Sequence, residues 1–123
     1  MFLKLSLFAC MVCGLPMNGS DGFCPNQTTH REVQVDNEQV RVWKTTIYPA
    51  SPLKMHRHDL PRIVVALQGG TLKKITDKGE VSDLVFETGK SYWLEADPEG
   101  ELHGDVNESD QPIVVVVIEP KNG

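Results

Sequence analysis

Ile63-Val64-Val65-Ala66-Leu67-Gln68-Gly69-Gly70-Thr71-Leu72-Lys73-Lys74-Ile75-Thr76-Asp77-Lys78-Gly79-Glu80-Val81-Ser82-Asp83-Leu84-Val85-Phe86 is the stretch that decides the fold class. Ile63 to Leu67 is a solid apolar run stopped by Gly69-Gly70. Leu72 to Thr76 ends at Asp77-Lys78-Gly79, a turn tripeptide, and Val81 to Phe86 ends at Gly89. Two β-rich runs around such a turn predict a hairpin. Upstream, Val33 and Val35, then Val40 and Val42, recur at every second position, and Thr45-Thr46-Ile47-Tyr48 extends the series until Pro49 and Pro52 break it. Downstream lie a short aromatic strand, Tyr92 to Leu94, and six β-branched residues, Ile113 to Ile118, between Pro112 and Pro120. No segment sustains a 3.6-residue period. Short β-branched runs punctuated by Gly, Pro and Asp predict an all-β sandwich or barrel.

The front of the chain reads differently. Lys4 is followed by an apolar run from Leu5 to Leu15 and then by Asn18-Gly19-Ser20. This is the build of a secretory signal peptide, and the run falls short of the roughly 20 apolar residues a spanning helix needs. Residues 1–20 are therefore expected to be a signal peptide, 21–35 an N-terminal arm and 36–120 the folded domain. Two other readings of the front are a bacterial lipobox at Leu7-Phe8-Ala9-Cys10 and a buried N-terminal strand. Cys10 and Cys13 fall within the leader, which leaves Cys24 without an internal partner. Export to the periplasm or the extracellular space is the expectation. The formal charge of −5 and the absence of any Lys/Arg cluster argue against a nucleic-acid partner. Nothing after the leader is apolar enough to span a membrane.

Histidines carry the chemistry. His56 and His58 share one side of an extended chain, because successive side chains alternate faces, and two such imidazoles can share a metal ion. Alone, H-x-H is also a common surface pair. Further on, Pro98-Glu99-Gly100-Glu101-Leu102-His103-Gly104-Asp105-Val106-Asn107 reads P-x-G-x-x-H-x-x-x-N.

That pattern resembles the second motif of the cupin superfamily, with Gly89 matching its leading glycine at a wider spacing. The first cupin motif, G-x5-H-x-H-x3-4-E-x6-G, is matched by His56, His58, position 62 and Gly69. The resemblance covers residues 40 to 118. It implies a single antiparallel β-barrel (jelly roll) and a divalent metal ion, of Zn, Fe, Ni, Cu or Mn, bound by His56, His58 and His103. Two departures stand out: Ala50 in place of the leading glycine, and Arg62 in place of the glutamate ligand. A guanidinium cannot bind a cation, so the implied ligand set stops at three histidines, with Asp59, Glu99 and Glu101 as nearby acids.

Arg62 either points into the barrel and pairs with an anionic ligand or turns outward to a surface acid such as Asp59. Of Tyr92 and Trp93 only one can face inward, and Trp93 is the candidate for ligand contact. Gly100 and Asn107 read as turn residues. Asn26-Gln27-Thr28 and Asn107-Glu108-Ser109 are N-glycosylation patterns. Three imidazoles with open positions imply a metal-dependent oxygenase if the protein is an enzyme. The alternative is a non-catalytic, metal-free sensor or binder of a small anion through Arg62. A small-molecule ligand is the expected partner, and a homodimer is left open.

Overall fold

A computed structural model describes residues 27–121. The expected signal peptide, the lipobox, all three cysteines and Asn26 lie outside the described residues. Nine strands follow one another among the described residues, with no helix: β1 (His30–Asp36), β2 (Val40–Ile47), β3 (Leu53–His56), β4 (Arg62–Gln68), β5 (Gly70–Thr76), β6 (Val81–Phe86), β7 (Ser91–Leu94), β8 (His103–Asn107) and β9 (Ile113–Pro120). All pair antiparallel, in a five-stranded sheet of order β1-β2-β9-β4-β7 and a four-stranded sheet of order β3-β8-β5-β6. This is the jelly-roll barrel expected from the sequence. No helix of the described residues is long and apolar enough to cross a membrane.

The β-branched run of β9 sits at the centre of the larger sheet, paired with β2 on one side and β4 on the other. Its alternation sends Ile113, Val115 and Val117 into the barrel. There they meet Trp43 and Ile47 of β2 and Val64 and Ala66 of β4. The smaller sheet closes the core with Leu72 and Phe86. β5 and β6 form the hairpin about Asp77-Lys78-Gly79, with the Gly79 amide donating to Thr76 O at 3.0 Å.

β1 is exposed along its whole length and covers the outer side of β2. It takes in His30 to Val35, the last part of the 21–35 stretch expected to be an N-terminal arm. An edge strand is held by backbone hydrogen bonds and needs no apolar face, so it leaves little hydrophobic signature.

Two positions of the first motif are explained by the backbone. A Cβ on Gly69 would come within 2.1 Å of the Phe86 carbonyl oxygen, an approach only glycine permits. Ala50 stands where the family has glycine and has φ of +62°. The turn at Ala50 is thus left-handed, a conformation that glycine adopts without a Cβ penalty. That conformation costs an L-residue roughly 1–2 kcal/mol, partly offset by the greater entropy glycine loses on folding. Ala50→Gly should raise stability by about 0.5–1 kcal/mol. Urea unfolding checks this, and a loss of stability would contradict the strain.

Candidate metal centre

Pairing of β3 with β8 sets His56 directly opposite His103, and the two rings lie 4.5 Å apart, centroid to centroid. His58 follows the end of β3, in the loop before β4, so strand alternation is not what aligns it with His56. That loop is instead tied to the segment before β8. The His58 amide donates to Asp97 Oδ2 at 2.7 Å, and the Asp97 amide donates back to His58 O at 2.9 Å. Between the histidines, Arg57 points the other way. It donates to the carbonyls of Pro98 (2.9 Å) and Glu101 (3.0 Å) and to the carboxylate of Asp59 (2.6 Å). The two histidine-bearing loops are thereby laced together, and the ring of His58 comes to 4.9 Å from that of His56.

One ring nitrogen from each of His56, His58 and His103 lies within 4.8 Å of the other two. Ligands each about 2.1 Å from one ion stand at most about 4.2 Å apart, so small side-chain rotations bring three nitrogens onto one cation. His56 Nδ1 is 2.7 Å from the Lys54 carbonyl, which can only accept. The proton therefore sits on Nδ1, and Nε2 offers its lone pair to the site.

Asp105, two residues after His103 on the same face of β8, was not singled out from the sequence. Its Oδ2 lies 3.8 Å from His56 Nε2 and 3.9 Å from His103 Nε2. Asp97 was missed too; its Oδ2 lies 3.3 Å from His103 Nδ1, with both side chains 3% exposed. The contact is off the line that a hydrogen bond needs, and it is not an ion pair at neutral pH. His103 Nδ1 and Asp105 Oδ1 are in fact two of the three buried side-chain polar atoms without a hydrogen-bond partner among the described residues. Buried polar atoms are seldom left so, and an ion or a water bound by such atoms is a common reason. Imidazole nitrogen with carboxylate oxygen is a donor set that suits a divalent first-row ion. The residues fit the group.

Burial pushes His58 down to about 3, with the Arg62 guanidinium and His56 adding to the effect. Burial likewise lowers His103 to about 4, against the pull of Asp97. Asp97 is opposed by its own burial, but the His58 amide and neighbouring positive groups hold it below the usual carboxylate range. Asp105 is raised by burial, with His56, Lys74 and Arg62 working against the rise.

These shifts predict an acid-labile metal-free protein. An unfolded histidine takes its proton near pH 6.5, whereas the folded His58 and His103 do so only near 3 and 4. Between those values the unfolded chain binds more protons, so stability falls as pH drops below about 6.5. The raised carboxyl of Asp105 works in the opposite direction. In chelator, stability at pH 5 should be lower than at pH 7 by on the order of 2 kcal/mol, less than the two shifts supply in full because His58 is only half-buried. A profile flat between pH 7 and 5 would refute the burial argument.

Arg62 points inward. It is 6% exposed, on the same face of β4 as Val64 and Ala66. The outward pairing with Asp59 does not occur, because Arg57 takes that carboxylate. Trp93 is 55% exposed on the outer face, its Nε1 donating to Glu95 at 2.8 Å, and it is not brought to the site. Its neighbour Tyr92 takes the inward position, packing edge-on to Phe86. Glu99 is exposed, and Glu101 is engaged through its backbone carbonyl by Arg57. His30 is exposed on β1 and stands apart from the three-histidine group. A cavity of about 570 Å3 lies between the sheets, and His56, His58, His103, Arg62 and Asp105 are among the residues on its wall.

The arrangement is a two-sheet jelly-roll barrel with three histidines on the wall of one cavity between the sheets. A cupin domain from Bordetella pertussis is 34% identical to this chain, with 76% of this chain and 94% of that one covered and a TM-score of 0.65. The chain belongs to the cupin superfamily. An uncharacterised double-stranded β-helix protein from Klebsiella pneumoniae aligns over 97% of this chain and 93% of its own at 20% identity, with a TM-score of 0.56. The polyketide cyclase RemF from Streptomyces resistomycificus aligns over 76% of this chain and 66% of its own at 19% identity, with a TM-score of 0.54. These last two likenesses concern the fold alone. No family model matches the chain, and no curated protein matches it.

Proposed function

We propose that this cupin holds one divalent first-row metal ion through His56, His58 and His103 and acts on a small molecule seated in the cavity. The observation that carries the reading is the convergence of three imidazoles, with Asp105 Oδ1 and His103's own Nδ1 buried and unpartnered, on the wall of a 570 Å3 cavity. That volume lies within the range of small-molecule sites. A bound ion of this kind polarises a ligand oxygen, and iron would add oxygen-dependent chemistry, the enzymatic form of the reading. The chain's own residues have separable tasks. Lys54 O fixes the tautomer of His56, and Asp97 holds the His58 loop. Asp105 sets a carboxylate oxygen 3.8 Å from His56 Nε2 and 3.9 Å from His103 Nε2, beside the place of the ion.

Elemental analysis tests the proposal. Protein made without a histidine tag, stripped and offered Zn, Fe(II), Ni, Cu or Mn in turn, should retain one ion per chain after desalting for at least one of them. Equal retention by the His56→Ala, His58→Ala double variant would overturn the site. Export belongs to the same proposal and is supported by the pattern of residues 1–20.

A further inference from the structure

Arg62 stands where the family places an acid, and its surroundings do not supply one in return. Of its five N–H groups, one on Nη1 donates to the Glu95 carbonyl at 3.1 Å. Among the described residues no carboxylate oxygen lies within 4 Å of the guanidinium. Asp97, Asp105 and Glu119 act on it only from farther away, and Asp97 is already engaged by the His58 amide, with Lys74 3.8 Å off. A cation this deeply buried is costly without a paired anion.

The cavity as a whole has the same bias. The chain carries a formal charge of −5, yet the charged residues on the cavity wall are Arg31, Lys54 and Arg62 against the single acid Asp105. The rest of the wall is mostly apolar, with Val64, Leu72, Phe86, Leu94 and Val117 contributed by both sheets.

We propose that the cavity binds a small organic acid, its carboxylate gripped by the free donors of Arg62 and its apolar body lying between the sheets. A guanidinium fork matches the two oxygens of a carboxylate, and the apolar wall accounts for the remainder of the ligand. A phosphate dianion fits less well, because it would set a second negative charge near Asp105 and leave the apolar wall bare. The inference rests on the reading of this cavity as the ligand site, and it names the ligand class that would meet the metal. The two can fail separately.

Calorimetric titration with 3-phenylpropanoate, its neutral amide and inorganic phosphate tests it on both chelator-stripped and Zn-loaded full-length protein. In the stripped protein the acid should bind about tenfold or more tighter than the amide, a difference reflecting one charge-assisted pair. Phosphate should bind more weakly than the acid. Arg62→Gln and Arg62→Lys should each shrink the acid-over-amide ratio of the stripped protein, glutamine to about 1. Equal binding of acid and amide by stripped wild type overturns the proposal whether or not either variant folds. Phosphate binding as tight as the acid overturns its apolar half. Loss of metal retention with the acid preference intact would overturn the metal reading and leave this one standing.

Discussion

Alanine at His103 should strip the protein of its metal and leave the barrel folded. Each histidine supplies one of three nitrogens, so a variant keeps only two protein imidazoles. Loss of an outer contact to a ligand costs roughly 10–100-fold in affinity, and loss of a ligand itself should cost more. His56→Ala and His58→Ala should do the same, whereas His30→Ala and Trp93→Phe, both exposed and away from the cluster, should leave metal content unchanged. Asp105→Asn keeps the shape but removes an anionic oxygen 3.8–3.9 Å from two of the ring nitrogens, and an intermediate loss of affinity is expected. Arg62→Glu removes a buried positive charge beside the site and restores the acid of the family motif, so it should tighten binding, most for Mn and Fe. Competition with a chromophoric chelator gives all these affinities on one scale. Unchanged metal retention in His103→Ala would show that the three rings do not act together.

The barrel and its ligand histidines were legible for different reasons. Ile113–Ile118 and Ile63–Leu67 are central strands buried by their neighbours, and burial writes an apolar run into the sequence. β3 and β8 carry the histidines and have no such run: Leu53-Lys54-Met55-His56 and His103-Gly104-Asp105-Val106-Asn107. They were found only because the histidine spacing resembles the cupin motifs. Strands that line a polar site exchange apolar residues for ligands and so lose the pattern by which strands are recognised.

Asp105 did carry a signal. It alternates with His103 and Asn107, so all three had to share one face once β8 was accepted as a strand. Asp97 carried none, because its role depends on a loop-to-loop contact across 39 residues. The direction of Arg62 was likewise undecidable from spacing. It follows from the start of β4, whose alternation places residue 62 with Val64 and Ala66, and from Arg57 having taken Asp59. Trp93 is the expected ligand contact, but register turns Tyr92 inward instead, into packing against Phe86: Val64, which faces inward, pairs with Tyr92, and the less buried Ile63 pairs with Trp93.

Asn107 should prove one of the most costly side chains to remove. Read from the sequence as a turn residue and part of a glycosylation pattern, it is instead 2% exposed and joins the two sheets. Its Nδ2 donates to the carbonyl of Ile47 in β2 at 2.9 Å and to that of Gln111 at 2.7 Å. Its Oδ1 accepts from the Ser109 amide at 3.0 Å and the Ser109 hydroxyl at 2.7 Å. With both ends of the amide occupied, the folded protein offers no Asn107 nitrogen to a glycan. Asn107→Ala leaves these partners short of hydrogen bonds, each loss costing about 1–3 kcal/mol where the group stays buried. Relaxation recovers part of that sum, and a net loss of about 3 kcal/mol is expected, a large share of the 5–15 kcal/mol typical of a whole domain. Asn107→Asp separates the hydrogen bonds from the volume. At pH 7 a carboxylate would face two carbonyl oxygens with nothing to donate, so it should be at least as destabilising as alanine. Protonation would return one donor, so the aspartate variant should recover part of its deficit relative to wild type as pH falls toward 5. The buried neutral histidines lower the stability of both proteins alike over the same range, so convergence of the two curves reports the protonation of the aspartate. Urea unfolding of both proteins at pH 7 and pH 5 checks this. Parallel curves, or an alanine variant within 1 kcal/mol of wild type, would mean that the sheets are held together without this amide.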